Sequence, residues 1–407
     1  MDGIEFIEGG VTAPQGFKAA GVHAGFRADV ERLDTALVYS EGADTRATGM
    51  FTQNIFCAAP VQVDREVAAA GKARAVILNS GNANAATGQP GIETARASQH
   101  MTAEALGLEP GQVFVASTGV IGVPLPLGPY EAGLPLLVEQ MASTPQAAES
   151  AARAIMTTDT VHKQGAVHFE ANGTTYTIGG MSKGSGMIQP NMATMLAVLT
   201  CDAPLAADAL KPALQQAVGA SFNKITVDSD TSTNDSVFLL TNGLAGGPVI
   251  EKGSDGFLAF TAALQALCEM LARTMARDGE GATKLVTVNV SGAANEEDAD
   301  MAARTVANSP LVKTAIAGHD CNWGRIAAAL GRSGAAFKQE TVDIDIAGIP
   351  TLRKGLPCGF DEDEALKAFE ADEIVIDVNL GTGEASTRIW TCDFTHDYIS
   401  INADYRS

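Results

Sequence analysis

Four glycines fall at positions 179, 180, 184 and 186, and Pro190 and Asn191 follow them. Such a stretch makes a poor helix or ladder, so its backbone is free to take tight angles. It runs into Ala193-Thr194-Met195-Leu196-Ala197-Val198-Leu199, an apolar run with one hydroxyl at its mouth. The Thr194 oxygen could attack the carbonyl before it, shift the acyl group from nitrogen to oxygen, and let water finish the cut. The freed α-amine would then lie within reach of its own hydroxyl, so one residue supplies nucleophile and base. That amine titrates near neutrality, which suits a general base. On spacing alone, a threonine after an alanine at a strand start is also an ordinary strand residue, and both readings stand at this point. Gly180-Met181-Ser182-Lys183-Gly184 fits GxSxG, but a nucleophile elbow needs a helix directly after its serine. Gly184, Gly186 and Pro190 argue against one.

Four further segments carry reactive residue types. Ser117-Thr118-Gly119 sits at a predicted strand end, where a backbone N–H and a hydroxyl could face one oxyanion, or simply cap a turn. Thr226 to Ser236 (TVDSDTSTNDS) sets acidic and amide groups among hydroxyls, suiting a cation, a substrate amine or a solvated turn. Asp278 to Lys284 (DGEGATK) closes a predicted helix and holds Glu280 either inward or as an exposed loop carboxylate. Ala317 to Arg325 (AGHDCNWGR) opens a short helix, and its Trp323 reads most simply as packed on a core.

These segments hang on alternating elements. The pattern predicts strands over 75–80, 114–116, 284–290 and 373–378, and helices near 91–106, 131–141, 146–156, 204–220, 255–276, 295–307 and 325–331. Asn172-Gly173, flanked by strand-like segments at 168–169 and 174–178, signals a hairpin. Strands mixed with helices argue a layered α/β or α+β architecture. No Pro- or Ser-rich linker divides the chain, and the one break in texture is 179–192.

The 407 residues, 46% of them hydrophobic, exclude a disordered chain and suit two or three domains by length. The longest apolar runs fall short of the roughly 18 residues that span a bilayer. The N-terminus MDGIEFIEGG is acidic where a secretory signal is basic, so a soluble cytoplasmic protein is expected. A net charge of −21 disfavours nucleic acid and anionic membranes as partners, while leaving room for an anionic small substrate in a locally basic pocket. Six scattered cysteines without CxxC, and six histidines without HExxH, predict neither a disulfide framework nor a metal site.

Taken in order, NSGNANAATG, STGVIG, KGSGMIQPNMATMLAVLTCDA, TVDSDTSTNDS, RDGEGATK and NWGR resemble the glutamate N-acetyltransferase (ornithine acetyltransferase) family of arginine biosynthesis, over Gly10 to Ser407. The resemblance implies a layered sandwich with mixed sheets flanked by helices, and a self-processing N-terminal-nucleophile enzyme. It implies a cut between Ala193 and Thr194, giving an α chain (1–193) and a β chain (194–407) that form one intertwined unit. The family's pairing of two such units implies a heterotetramer. The reaction implied is acetyl transfer from N2-acetylornithine to L-glutamate through an acetyl-threonine ester on Thr194. Thr118 and Gly119 correspond to the family's oxyanion pair. Substrate contacts correspond to Thr157 (with Thr158 one register away), Lys183, Thr194, Glu280, Asn402 and the terminal Ser407. Lys183 suits the α-carboxylate shared by both substrates, and Glu280 suits either a substrate ammonium or the Thr194 amine. No cofactor is implied; some members of the family also take acetyl from acetyl-CoA as a co-substrate, while others only recycle it. Two positions depart from the family pattern, Cys321 and His162, where proline is commoner. A self-processing aminopeptidase or amidase of similar fold, or a non-catalytic amino-acid-binding relative, are the alternatives.

Overall fold

The computed structural model describes residues 3–189 and 195–404. The hairpin is present: strands Lys163–Ala171 and Thr174–Lys183 pair antiparallel, and Asn172 and Gly173 both take the positive φ that a two-residue turn requires. The second strand runs on to Lys183, although 179–192 reads as one irregular stretch in the sequence. Each residue from Ile178 to Ser182 has a ladder partner on both sides, on 163–171 and on Leu196–Cys201. That double pairing outweighs the weak strand preference of Gly179 and Gly180. Ser182 is thus buried inside a strand with no helix after it, so the GxSxG match forms no elbow.

These strands belong to a six-stranded sheet ordered Ile4–Ile7, 163–171, 174–183, 196–201, Ser236–Thr241 and Arg46–Phe51. Leu196–Cys201 is buried along its whole length, as expected for a central strand covered on both faces. A second sheet, Phe17–Val22, Thr35–Ser40, Ala75–Asn82 and Val113–Val120, packs on one of those faces. Its side chains alternate with period two. Val76, Leu78, Phe114 and Ala116 meet Met181, Val198 and Phe238 of the first sheet. Ala75, Ile77, Val113 and Val115 turn outward to a core completed by helices Ala59–Ala70, Gly88–Leu106 and Gly128–Gln140. Helices Ala207–Ala220 and Asp255–Arg277 cover the far face of the first sheet. The result is a helix–sheet–sheet–helix sandwich, the layered α/β class that the alternation predicts.

The helix Asp255–Arg277 corrects the reading of apolar runs. Its 23 residues are long and apolar enough to cross a bilayer by length and composition. Phe260, Leu264, Leu267, Leu271 and Met275 are buried against the first sheet, so those residues serve a protein core. The other predicted helices lie within three residues of their observed bounds. Ala207–Ala220 starts later than the pattern suggests because Leu205 is taken up by a bridge to Ile250.

A third, six-stranded sheet includes Leu285–Ala293, Glu373–Asn379 and Ala385–Cys392, and carries helices Glu296–Ala307, Pro310–Ala317, Trp323–Gly331 and Glu362–Ala368 over a separate core. AGHDCNWGR lies here. Asn322 caps the helix by accepting the Arg325 N–H at 3.1 Å, Cys321 is buried, and Trp323 packs against this core. The packing reading of Trp323 is the correct one.

Candidate active site

Thr118 and Gly119 lie near the end of strand Val113–Val120, beside Ala75–Asn82. The pairing is interrupted at Asn82, and Gly119 has φ +131° with the backbone of Gly81 and Asn82 pressed where a Cβ would stand. Only glycine fits there without moving backbone. The Asn-rich turn of NSGNANAATG is bonded in place: Asn79 accepts from the Ser117 hydroxyl at 2.6 Å and the Tyr130 hydroxyl at 2.9 Å. The residue before Thr118 is thereby fixed to the neighbouring strand.

Lys183 ends its own strand and is buried, with Nζ 3.5 Å from the Thr118 hydroxyl. Burial pushes its ammonium down from the ordinary lysine range; Asp159 draws it back up, Lys163 pushes it further down, and Asp235 and Glu280 draw it up. Asp159 is buried too. Its Oδ1 accepts from Lys163 Nζ and from the Gly184 N–H, both at 2.7 Å, and its Oδ2 accepts from the Thr157 N–H at 2.9 Å. Burial raises the Asp159 pKa, but Lys163 and Lys183 outweigh it and hold the carboxyl well below the usual range.

Glu280 follows the helix Asp255–Arg277 and is buried, its N–H donating to Ser185 O at 3.1 Å. Its carboxylate lies against Gly186, leaving no space for a Cβ at that position. Asn402, on the helix His396–Asp404, donates to Glu280 Oε2 at 2.7 Å. The exposed-loop reading of Glu280 is therefore wrong, because two segments distant in sequence close over it.

TVDSDTSTNDS turns at exposed Ser229 and Asp230, and on either side of that turn it acts as a clamp. Asp228 accepts from the Met187 N–H at 2.6 Å and the Ile188 N–H at 2.8 Å, fixing the Gly-rich segment where Met187 takes a positive φ. Asn234, buried, donates to Ala83 O at 2.6 Å and Ser117 O at 2.8 Å, tying the loop after strand Ala75–Asn82 to strand Val113–Val120.

One cavity gathers these groups. Thr118, Gly119, Thr157, Lys183, Glu280 and Asn402 all line it, and Thr158 lines it beside Thr157. Ala193, Thr194 and Ser407 lie outside the described residues. His162 is half-buried just before strand Lys163–Ala171. Sequence reasoning missed Asp159, Lys163 and Asp278 beneath the cavity, and Asp235 on its wall. The only signal for the first two was an acid and a base four apart in TTDTVHK, which is common on any surface.

Residues 18–407 match the ArgJ family. The chain is 49% identical over 405 residues to the arginine biosynthesis bifunctional protein ArgJ of Symbiobacterium thermophilum, spanning 99% of this chain and 100% of that protein. It is 46% identical over 415 residues to the protein of the same name from Thermosynechococcus vestitus, spanning 98% of each. A crystal structure of the arginine biosynthesis bifunctional protein from Bacillus halodurans is 48% identical, with a TM-score of 0.49 over 51% of this chain and 97% of that one.

Proposed function

From the premise that this chain belongs to the ArgJ family, we propose that the cavity transfers acetyl from N2-acetylornithine to L-glutamate through an ester on Thr194. The protein is an acyltransferase of arginine biosynthesis. The observation that carries the site assignment is convergence. Six residues named from five separate sequence segments line one cavity, and Met195, the residue after Thr194, lines it too.

In the first half-reaction the Thr194 hydroxyl oxygen attacks the acetyl carbonyl, and its own α-amine takes the proton. The tetrahedral oxyanion falls to Thr118 and Gly119. The C–N bond breaks, the proton passes to the leaving amine, and ornithine departs. In the second half the glutamate amine attacks the ester carbonyl, giving N-acetylglutamate and regenerating the hydroxyl. Lys183 pairs with the α-carboxylate common to both amino acids. Glu280, held by Asn402, takes a substrate ammonium. Acetyl-CoA serves glutamate as a second donor at the same threonine.

Self-cleavage at Ala193–Thr194 supplies the amine. Strands 174–183 and 196–201, from opposite sides of that bond, pair in one sheet, which supports two chains that stay associated. We place the enzyme in the cytoplasm as two α and two β chains.

Intact mass under denaturing conditions tests the cut, with two chains of 193 and 214 residues expected. Initial rates with both substrates varied are expected to give the parallel lines of a ping-pong route. A single uncut chain that still turns over, or acetylornithine hydrolysis that proceeds equally well without glutamate, would overturn the proposal.

A further inference from the structure

Beneath the cavity three charged side chains form a continuous buried chain. Lys163 Nζ lies 2.7 Å from Asp159 Oδ1 and 2.5 Å from Asp278 Oδ2. The Lys163 and Asp159 side chains are fully buried, and Asp278 nearly so. Burying charge is costly unless each group is paired and its remaining valences are bonded. Here they are, and each bond lands on a segment that lines the cavity or adjoins one that does.

Asp159 holds the Thr157 N–H with one oxygen and the Gly184 N–H with the other. The first segment carries Thr157 and Thr158, and the second follows directly on Lys183. Asp278 accepts the Thr160 N–H at 3.1 Å and is bonded to the Thr160 hydroxyl as well. Its backbone carbonyl accepts the Ser185 hydroxyl at 2.6 Å, two residues before Glu280. Lys163 is fixed by its strand, paired opposite Ser182. A sequence-distant loop, strand end and helix end therefore share one charged anchor.

We propose that Asp159, clamped by Lys163 and Asp278, is a positioning residue of the acetyl-transfer reaction: it sets Thr157 and the Lys183–Gly184 bend at the spacing that grips the substrate α-carboxylate. The proposal rests on the reading of Thr157 and Lys183 as substrate contacts. Two consequences separate it from a purely structural ion pair. The first is a KM effect shared by both amino acids, since both present the same carboxylate. The second is electrostatic. The charged groups facing Lys183 are Asp159, Lys163, Asp235 and Glu280. Of these, Asp159 is the strongest support for the ammonium, so removing its charge makes Lys183 lose its proton at lower pH.

The test is Asp159→Asn, near-isosteric and neutral, made in the full chain. D159N leaves Lys163 paired with Asp278, and D159N/K163M/D278N is made in parallel because it removes the whole buried cluster and strands neither an ammonium nor a carboxylate. Steady-state kinetics and the pH profile of kcat/KM are measured on the folded, cleaved proteins. KM for N2-acetylornithine and for glutamate is expected to rise tenfold or more, with a smaller change in kcat. The alkaline limb of the D159N profile is expected to move down by about one pH unit. A folded D159N with wild-type KM and an unmoved limb overturns the proposal, as does a folded D159N/K163M/D278N with wild-type KM. Lys183→Met distinguishes the two layers of argument. If K183M keeps wild-type KM, the substrate-contact reading fails; if K183M loses affinity and D159N does not, only the positioning role fails.

Discussion

The Asn402 amide donates to the Glu280 carboxylate at 2.7 Å, joining the helix His396–Asp404 to the loop that follows helix Asp255–Arg277. A second bond, from the Thr395 hydroxyl to Gly281 O at 2.7 Å, fixes the start of the same helix beside that loop. The cavity therefore has a wall built from the far end of the chain.

Asn402→Ala removes a hydrogen bond to a charged acceptor, which costs about 1.5–3 kcal/mol when the group is buried. Asn402 is exposed, so the lower end applies, and KM for the amino-acid substrates is expected to rise about tenfold. Asn402→Asp sets a second carboxyl against Glu280, and the like-charge contact is expected to raise KM further than Asn402→Ala does. Steady-state KM checks both variants. A wild-type KM in N402A would mean that this contact does not reach the substrate.

On the proposed assignment, Thr118→Ala removes one donor to the oxyanion and nothing that binds the ground-state carboxylate. A loss of about 3 kcal/mol, or a hundredfold or more in kcat, is expected with little change in KM. The Lys183 ammonium lies 3.5 Å from the hydroxyl that is lost, so the variant also uncovers a little of that charge. Single-turnover measurement of acetyl-enzyme formation reads the effect directly. A variant that acetylates at the wild-type rate removes Thr118 from the oxyanion assignment.

Much of the fold was legible because local chemistry and tertiary packing agreed. Asn172-Gly173 specified its hairpin, and the helix Asp255–Arg277 was visible from its apolar stripe. Gly179 and Gly180 misled, since ladder partners on both sides are a long-range fact that composition does not carry. At the site, motif order named Thr118, Lys183 and Glu280, and the structure brings them to one cavity. Asp159 and Lys163 stayed invisible, and Asp228 was seen only as one acidic group of TVDSDTSTNDS, for a common reason. Their roles lie in which backbone N–H or buried charge they meet across the fold, and sequence spacing does not record that.

Two glycines in the cavity wall are expected to fail in different ways. At Gly119 an added Cβ meets the backbone of Gly81 and Asn82 at a φ that side chains rarely take, so Gly119→Ala is expected to lower Tm and the yield of folded protein. At Gly186 the added Cβ meets only the end of the Glu280 side chain, which can swing away. Gly186→Ala is therefore expected to keep Tm close to wild type while raising KM as Glu280 is displaced. Thermal unfolding paired with kinetics separates the two. Equal loss of Tm in both variants would contradict this contrast.

Asp64 gives a prediction for stability against pH. It lies on helix Ala59–Ala70, fully buried, with Oδ1 accepting the Val115 N–H at 2.8 Å and Oδ2 unbonded among the described residues. Burial pushes its pKa well above the usual carboxylate range, and the Val115 bond opposes that only in part. The folded chain thus holds a proton on Asp64 where the unfolded chain, with a carboxyl near 3.9, has released it. In that window the unfolded state binds fewer protons, so this group's contribution to stability falls as pH rises. Asp64→Asn can still accept the Val115 N–H through its carbonyl oxygen but does not titrate. Whatever fixed offset the amide brings, the Tm of D64N minus that of wild type is expected to be flat below about pH 4 and to grow steadily above it. A difference that stays constant from pH 4 to 8 would show that Asp64 titrates alike in both states, and the edge strand carrying Thr118 would then owe nothing to a protonated carboxyl.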